Sequence, residues 1–200
     1  MKHRAATFLT LAVAVTAVAA AIPHTSDRFG YSTFREDAGR VTVLADGFPA
    51  SIAPKTGYIP VPIAVALTKP GHHIVFTPES FTLIDADGHA VPAAGFNEIT
   101  TKYARQNYDR SLVRVRPIAV PETISGLLQV PSRFYPPVNG GTRTTEVELA
   151  TSTWFRDILY FPVPPSGLHG VLTLRVEIPN ESPVEVRFVA NEKDLSESGG

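Results

Sequence analysis

The chain has 200 residues, 18 basic against 19 acidic side chains for a net charge of −1, and no cysteine. Charge this even excludes the electrostatic footprint of a nucleic-acid or anionic-membrane binder. The missing cysteines exclude disulfide staples and thiolate metal sites, so the fold depends on its core alone.

Residues 1–21 have the parts of a secretory signal. Lys2, His3 and Arg4 form a basic start, residues 5–18 an apolar run, and Ala19, Ala20 and Ala21 a small-residue cleavage site. Cleavage after Ala21 removes two basic groups and leaves 179 residues with a net charge of −3. The expected product is exported, periplasmic or secreted, with no membrane span once the signal is gone. Lipid anchoring at a cleavage-site cysteine is excluded because there is none.

Residues 22–40 show no clean period and read as an extended leader, with Phe29, Tyr31 and Phe34 as its aromatic side chains. Residues 41–190 read as one domain. A short strand is expected over 41–45. Residues 58–68, YIPVPIAVALT, alternate with Ile59, Val61, Ile63, Val65 and Leu67 on one face. Pro60 and Pro62 cannot donate to a ladder, so one edge of this strand should pair only from about Ile63 onward. Short strands are expected over 74–77 and 81–85, broken at Pro78. Asp85, Ala86, Asp87 and Gly88 then form a turn that returns through 89–91.

Residues 96–112 contain no proline or glycine and space Phe96, Ile99 and Tyr103 at helical intervals, which predicts one inserted helix. A strand over 113–116 follows, then a long proline-rich connection over 117–142. Strands are predicted over 144–151 and over 172–178, with an apolar segment of Ile158, Leu159, Tyr160 and Phe161 and a proline-rich corner between them. In the 172–178 strand Leu172, Leu174, Val176 and Ile178 face inward. Val184, Val186 and Phe188 complete a final hairpin, with Arg175 and Glu177 read as cross-strand partners of Glu185 and Arg187. Residues 191–200, NEKDLSESGG, have the composition of a disordered tail.

The succession IPVPIAVALT, FTLIDADG, LYFPVPPSG and LTLRVEI resembles the immunoglobulin-like sandwich domains of bacterial exported proteins of unassigned function. The resemblance spans about residues 58–190. It implies an all-β, immunoglobulin-like antiparallel β-sandwich, here with one inserted helix and a long proline-rich loop. It also implies a non-catalytic role in adhesion, assembly or accessory binding. The insertion at 96–142 departs from the simplest version, and a specific task is expected there.

Within that insertion Lys102, Arg105, Arg110, Arg114 and Arg116 put five basic groups in fifteen residues, with Tyr103 and Tyr108 between them. One reading is a face for an anion, such as an acidic polysaccharide of the cell envelope or a partner protein's acidic patch. The other is a solvated face with local ion pairs to Glu98 and Asp109. His72, His73 and His89, with Asp85 and Asp87, are the only candidates for a metal. They would serve a metal-dependent envelope hydrolase, although adjacent His72 and His73 point opposite ways in extended chain. G-x-S-x-G, S-x-x-K and H-E-x-x-H are all absent. No cofactor is expected. A third reading is a structural subunit of an envelope assembly, docking by the leader or by the proline-limited strand.

Overall fold

The computed structural model describes residues 25–53, 56–137 and 140–190. The signal segment, His24 and the 191–200 tail lie outside the described residues. The strands in chain order are β1 (Asp27–Phe29), β2 (Thr33–Ala38), β3 (Val41–Asp46), β4 (Tyr58–Leu67), β5 (Ile74–Phe76), β6 (Phe81–Ile84), β7 (Ala90–Pro92), β8 (Leu128–Gln129), β9 (Val147–Leu149), β10 (Thr153–Pro162), β11 (Val171–Val176) and β12 (Val184–Val189). Four short helices accompany them: α1 (Phe48–Ile52), α2 (Phe96–Lys102), α3 (Gln106–Val115) and α4 (Glu122–Ser125). None of the described helices is long and apolar enough to cross a membrane.

The strands form a six-stranded sheet in the order β1-β2-β3-β4-β10-β8, a four-stranded sheet in the order β12-β11-β6-β7, and a β5-β9 pair. Every pairing is antiparallel except β10 with β8. The two larger sheets share one continuous apolar core, a sandwich-like arrangement. Val61, Ile63, Val65 and Phe155 enter it from one sheet, and Leu83, Leu174, Val186 and Phe188 from the other.

β4 is buried along its whole length on both faces. Its alternation explains how. The branched residues enter the sandwich core, while Ala64 and Ala66 lie on the opposite face with Leu44 and Trp154. There they meet Ile118 and Ile124 of the insertion in a second, smaller core. The prolines act as expected: pairing with β3 runs from Ile63 to Leu67, whereas pairing with β10 covers all ten residues. α1 packs beside β4.

Several expectations need correction. The leader is not an extended arm from residue 27 onward: β1 and β2 form a hairpin of the large sheet, and Phe34 is buried. The single helix over 96–112 is two. Tyr103 takes extended backbone angles (φ −117°, ψ 97°) so that its ring can enter the core, and this breaks the helix between α2 and α3. The strand expected over 113–116 is the end of α3. The 117–142 connection contains α4 and β8, and it buries Phe134 and Tyr135 completely. The strand expected over 144–151 is only Val147–Leu149, with Val147 and Leu149 buried as predicted. In the final hairpin Arg175 pairs with Glu185 at 3.7 Å, but Arg187 stands opposite Thr173.

Tyr160 of β10 sits on the insertion side, its ring 5.1 Å from Tyr103 and 5.2 Å from Tyr135. Its hydroxyl is buried with no hydrogen-bond partner among the described residues. A polar group left unpaired keeps its full desolvation cost. Tyr160→Phe should therefore stabilise the protein by about 1 kcal/mol. Chemical unfolding checks this, and a destabilisation of similar size would show that the hydroxyl is in use.

Candidate functional site

The basic residues of the insertion do not form one face. Lys102 reaches Glu98 at 3.6 Å on the exposed side of α2. Arg105 approaches Asp109 at 3.9 Å and stacks 4.5 Å above the Tyr108 ring. Tyr103, expected on the surface, is buried and donates to Asp109 Oδ2 at 2.6 Å. Burial raises the Asp109 carboxyl above its usual range, opposed by the Tyr103 hydrogen bond and the Arg105 charge. The same burial, with Asp109 beside it, pushes the Tyr103 hydroxyl well up. Arg116 lies 3.6 Å over the Phe48 ring and donates to Ser32 Oγ at 3.1 Å. These four side chains are committed to local partners.

Arg110 and Arg114 differ. They stand one helical turn apart on α3, so they share a face. That face borders a groove of about 420 Å³ with Arg133 and Arg156 on its other walls. Pro62, Val113, Ile118 and Ile158 supply its apolar lining, and Ser132 and Asp157 its remaining polar groups. Arg114, Arg133 and Arg156 are exposed, and Arg110 is half-buried. None of the four has a carboxylate within 4.0 Å among the described residues, whereas Arg35, Arg40, Arg105, Arg175 and Arg187 all do.

Local structure holds the groove together. Asp157 projects from β10 and accepts from Ser132 Oγ at 2.6 Å and from the Phe134 N–H at 2.8 Å. Its other oxygen takes the Ile158 N–H at 2.8 Å. These bonds tie the 132–134 strap to the edge of β10. Burial raises the Asp157 carboxyl; the bonds from Ser132, Phe134 and Ile158, and then the Arg110 charge, oppose the rise. Arg133 rests against Gly141. The glycine has φ +89°, and a Cβ there would sit 2.1 Å from Arg133 Nη1, so a side chain at 141 would strain the backbone and push the guanidinium aside.

The histidines meet three different carboxylates. His73 Nδ1 lies 2.7 Å from Glu148, His89 Nδ1 3.0 Å from Asp85, and His72 Nε2 3.9 Å from Glu181. No group of three or more His, Asp or Glu is placed to hold a metal ion among the described residues. Asp85 has a structural task. Its carboxylate accepts from the Asp87 N–H at 3.0 Å, from the His89 N–H at 2.7 Å and from Ser166 Oγ. Burial alone would raise it, but the bonds from Ser166 and His89 win and hold it well below the usual carboxylate range. Gly88 supplies the positive φ, +87°, that closes this turn. Asp87 contributes only its main chain.

Arg133 and Arg156 escaped the sequence reading. Arg133 lies in a stretch without periodicity. Arg156 and Asp157 are two adjacent charged residues in an otherwise apolar run, the one local signal that could have marked them. No family model, curated protein or solved structure matches this chain.

Proposed function

We propose that this chain is an exported, non-catalytic binding module with an immunoglobulin-like sandwich. In this reading it takes an anionic partner in the groove of Arg110, Arg114, Arg133 and Arg156. The strand partnerships support the architecture. β3-β4-β10-β8 against β12-β11-β6-β7 follows the neighbour order of an immunoglobulin-type Greek key, with the parallel β8 as its departure. The observation that carries the function is that four arginines, none ion-paired among the described residues, line one partly apolar groove. Elsewhere Arg35, Arg40, Arg105, Arg175 and Arg187 each meet a carboxylate. Here like charges stand together, an arrangement that an anion relieves. Arginine, rather than lysine, suits a planar carboxylate bound through two parallel hydrogen bonds.

Calorimetric titration with polyglutamate and with oligogalacturonate tests this reading. At least one polyanion should bind, and less tightly as salt rises toward ~0.15 M, where exposed charges are screened beyond roughly 8 Å. The double variant Arg114→Glu, Arg156→Glu should weaken binding by roughly a hundredfold, about 1.4 kcal/mol for each reversed charge. If the variant binds as the parent does, the groove is not the site.

A further inference from the structure

The chain leaves the sandwich close to the groove. β12 ends at Val189, whose carbonyl lies against Gly47: a Cβ on that glycine would sit 2.1 Å from Val189 O. Gly47 opens α1, and the Phe48 ring beside it carries the Arg116 guanidinium at 3.6 Å. Arg116 caps the C-terminus of α3. From there Arg114 and Arg110 stand about 3 and about 9 Å back along the helix axis. One short run of packed residues thus joins Ala190, the last described residue, to the groove.

Residues 191–200 continue from that point, and their composition complements the groove. Glu192, Asp194 and Glu197 set three carboxylates against Lys193, and Leu195 is the one large apolar side chain among them. The groove has the opposite balance: four arginines against Asp157, whose oxygens are already taken by Ser132, Phe134 and Ile158. Val113 is the least covered of its apolar groups. Ten residues of extended chain span up to about 33 Å, enough to pass Phe48 and run the length of α3 from Arg116 to Arg110.

Resting on the anion-binding reading above, we infer that the resident occupant of the groove is this chain's own segment 191–200, which an external anion displaces. Glu192, Asp194 and Glu197 supply carboxylates to the arginines, and Leu195 covers Val113. Tethering makes a weak pairing count. A linked segment acts at an effective concentration in the millimolar range, so it attenuates the binding of an outside anion without abolishing it.

Polyglutamate titration of the full chain tests this. The triple variant Glu192→Gln, Asp194→Asn, Glu197→Gln should bind polyglutamate about tenfold more tightly than the parent. That is the gain when a tethered competitor with a Kd of about 0.1 mM loses an effective concentration of about 1 mM. Because the chain has no cysteine, an engineered pair gives an independent readout. Leu195→Cys with Val113→Cys should close a disulfide at a rate independent of protein concentration and slowed by polyglutamate. Leu195→Cys with Val75→Cys, exposed on β5, should close far more slowly. Unchanged affinity in the triple variant, or a Val113 pair no faster than the Val75 pair, overturns the inference and leaves the anion-binding reading intact. A closure rate that rises with protein concentration assigns the segment to a second copy and overturns it too. If neither parent nor variant binds polyglutamate or oligogalacturonate while the Val113 pair still closes, the segment is the occupant and the external anion fails. If that pair does not close either, both readings fail.

Discussion

Phe155→Ala should cost about 3–5 kcal/mol of stability, the range for emptying a buried aromatic site. Phe155 is fully buried where three parts of the molecule meet. Its ring lies 5.8 Å from Phe76 of β5 and 6.0 Å, edge-on, from Phe134 of the insertion. Removing it opens a void between a central strand and both neighbours, and interlocked aromatic rings leave little that can collapse inward. A domain of ordinary stability holds about 5–15 kcal/mol in total, so the variant should be unfolded in a visible fraction of molecules or shift its urea midpoint strongly. Val75→Ala makes the control: Val75 is 41% exposed, and its loss should fall within about 0.5 kcal/mol. A Phe155→Ala loss below about 1 kcal/mol would mean that the insertion is not part of the same core.

Asp157→Ala should cost about 2–4 kcal/mol, because it strands the buried Phe134 N–H and the Ser132 hydroxyl together. Its pH dependence carries a sign. Burial raises the Asp157 carboxyl above the ordinary 3.8. A carboxyl with a raised folded-state pKa contributes most stability below its unfolded value, and loses that contribution as pH rises through the folded one. The gap between the parent and Asp157→Ala should therefore be widest below about pH 4 and narrow toward neutrality. Urea melts across that range measure it. A gap that widens with pH would mean that the hydrogen bonds and Arg110 stabilise the carboxylate more than burial opposes it. Loosening the strap should also weaken anion binding, since Arg133 sits beside Ser132.

Where a pattern is local, the sequence revealed it. The prolines of β4 predicted where its pairing with β3 begins, and the alternation over 172–178 and 184–188 predicted the last hairpin. What escaped depends on distance along the chain. The spacing of Tyr103 with Phe96 and Ile99 hinted at a shared face, but the rings it packs against, Tyr58 and Tyr160, come from distant strands. The 117–142 stretch looks like loose connection until Asp157, more than twenty residues on, supplies its anchor. The groove had the same difficulty. Arg110 and Arg114 were visible as part of a basic cluster, but nothing in that cluster separated them from Arg105, which Asp109 and Tyr108 occupy, or from Arg116, which Ser32 and Phe48 occupy. Their companions Arg133 and Arg156 come from two other segments, and only folding brings the four together.

The small residues on the outer face of β4 bear on what can be inherited separately. Ala64 and Ala66 let the insertion settle close to the sheet, and Leu44 and Trp154 are apolar because it does. The central strands are thus composed for a cover that another part of the chain provides. An insertion that merely hung from a loop could be lost or exchanged between descendants without touching the sandwich. This one could not, because its departure would bare a tryptophan and a leucine to water. Sheet and insertion should change in step, and a descendant that remodels the groove must do so on a floor the sandwich has already fixed.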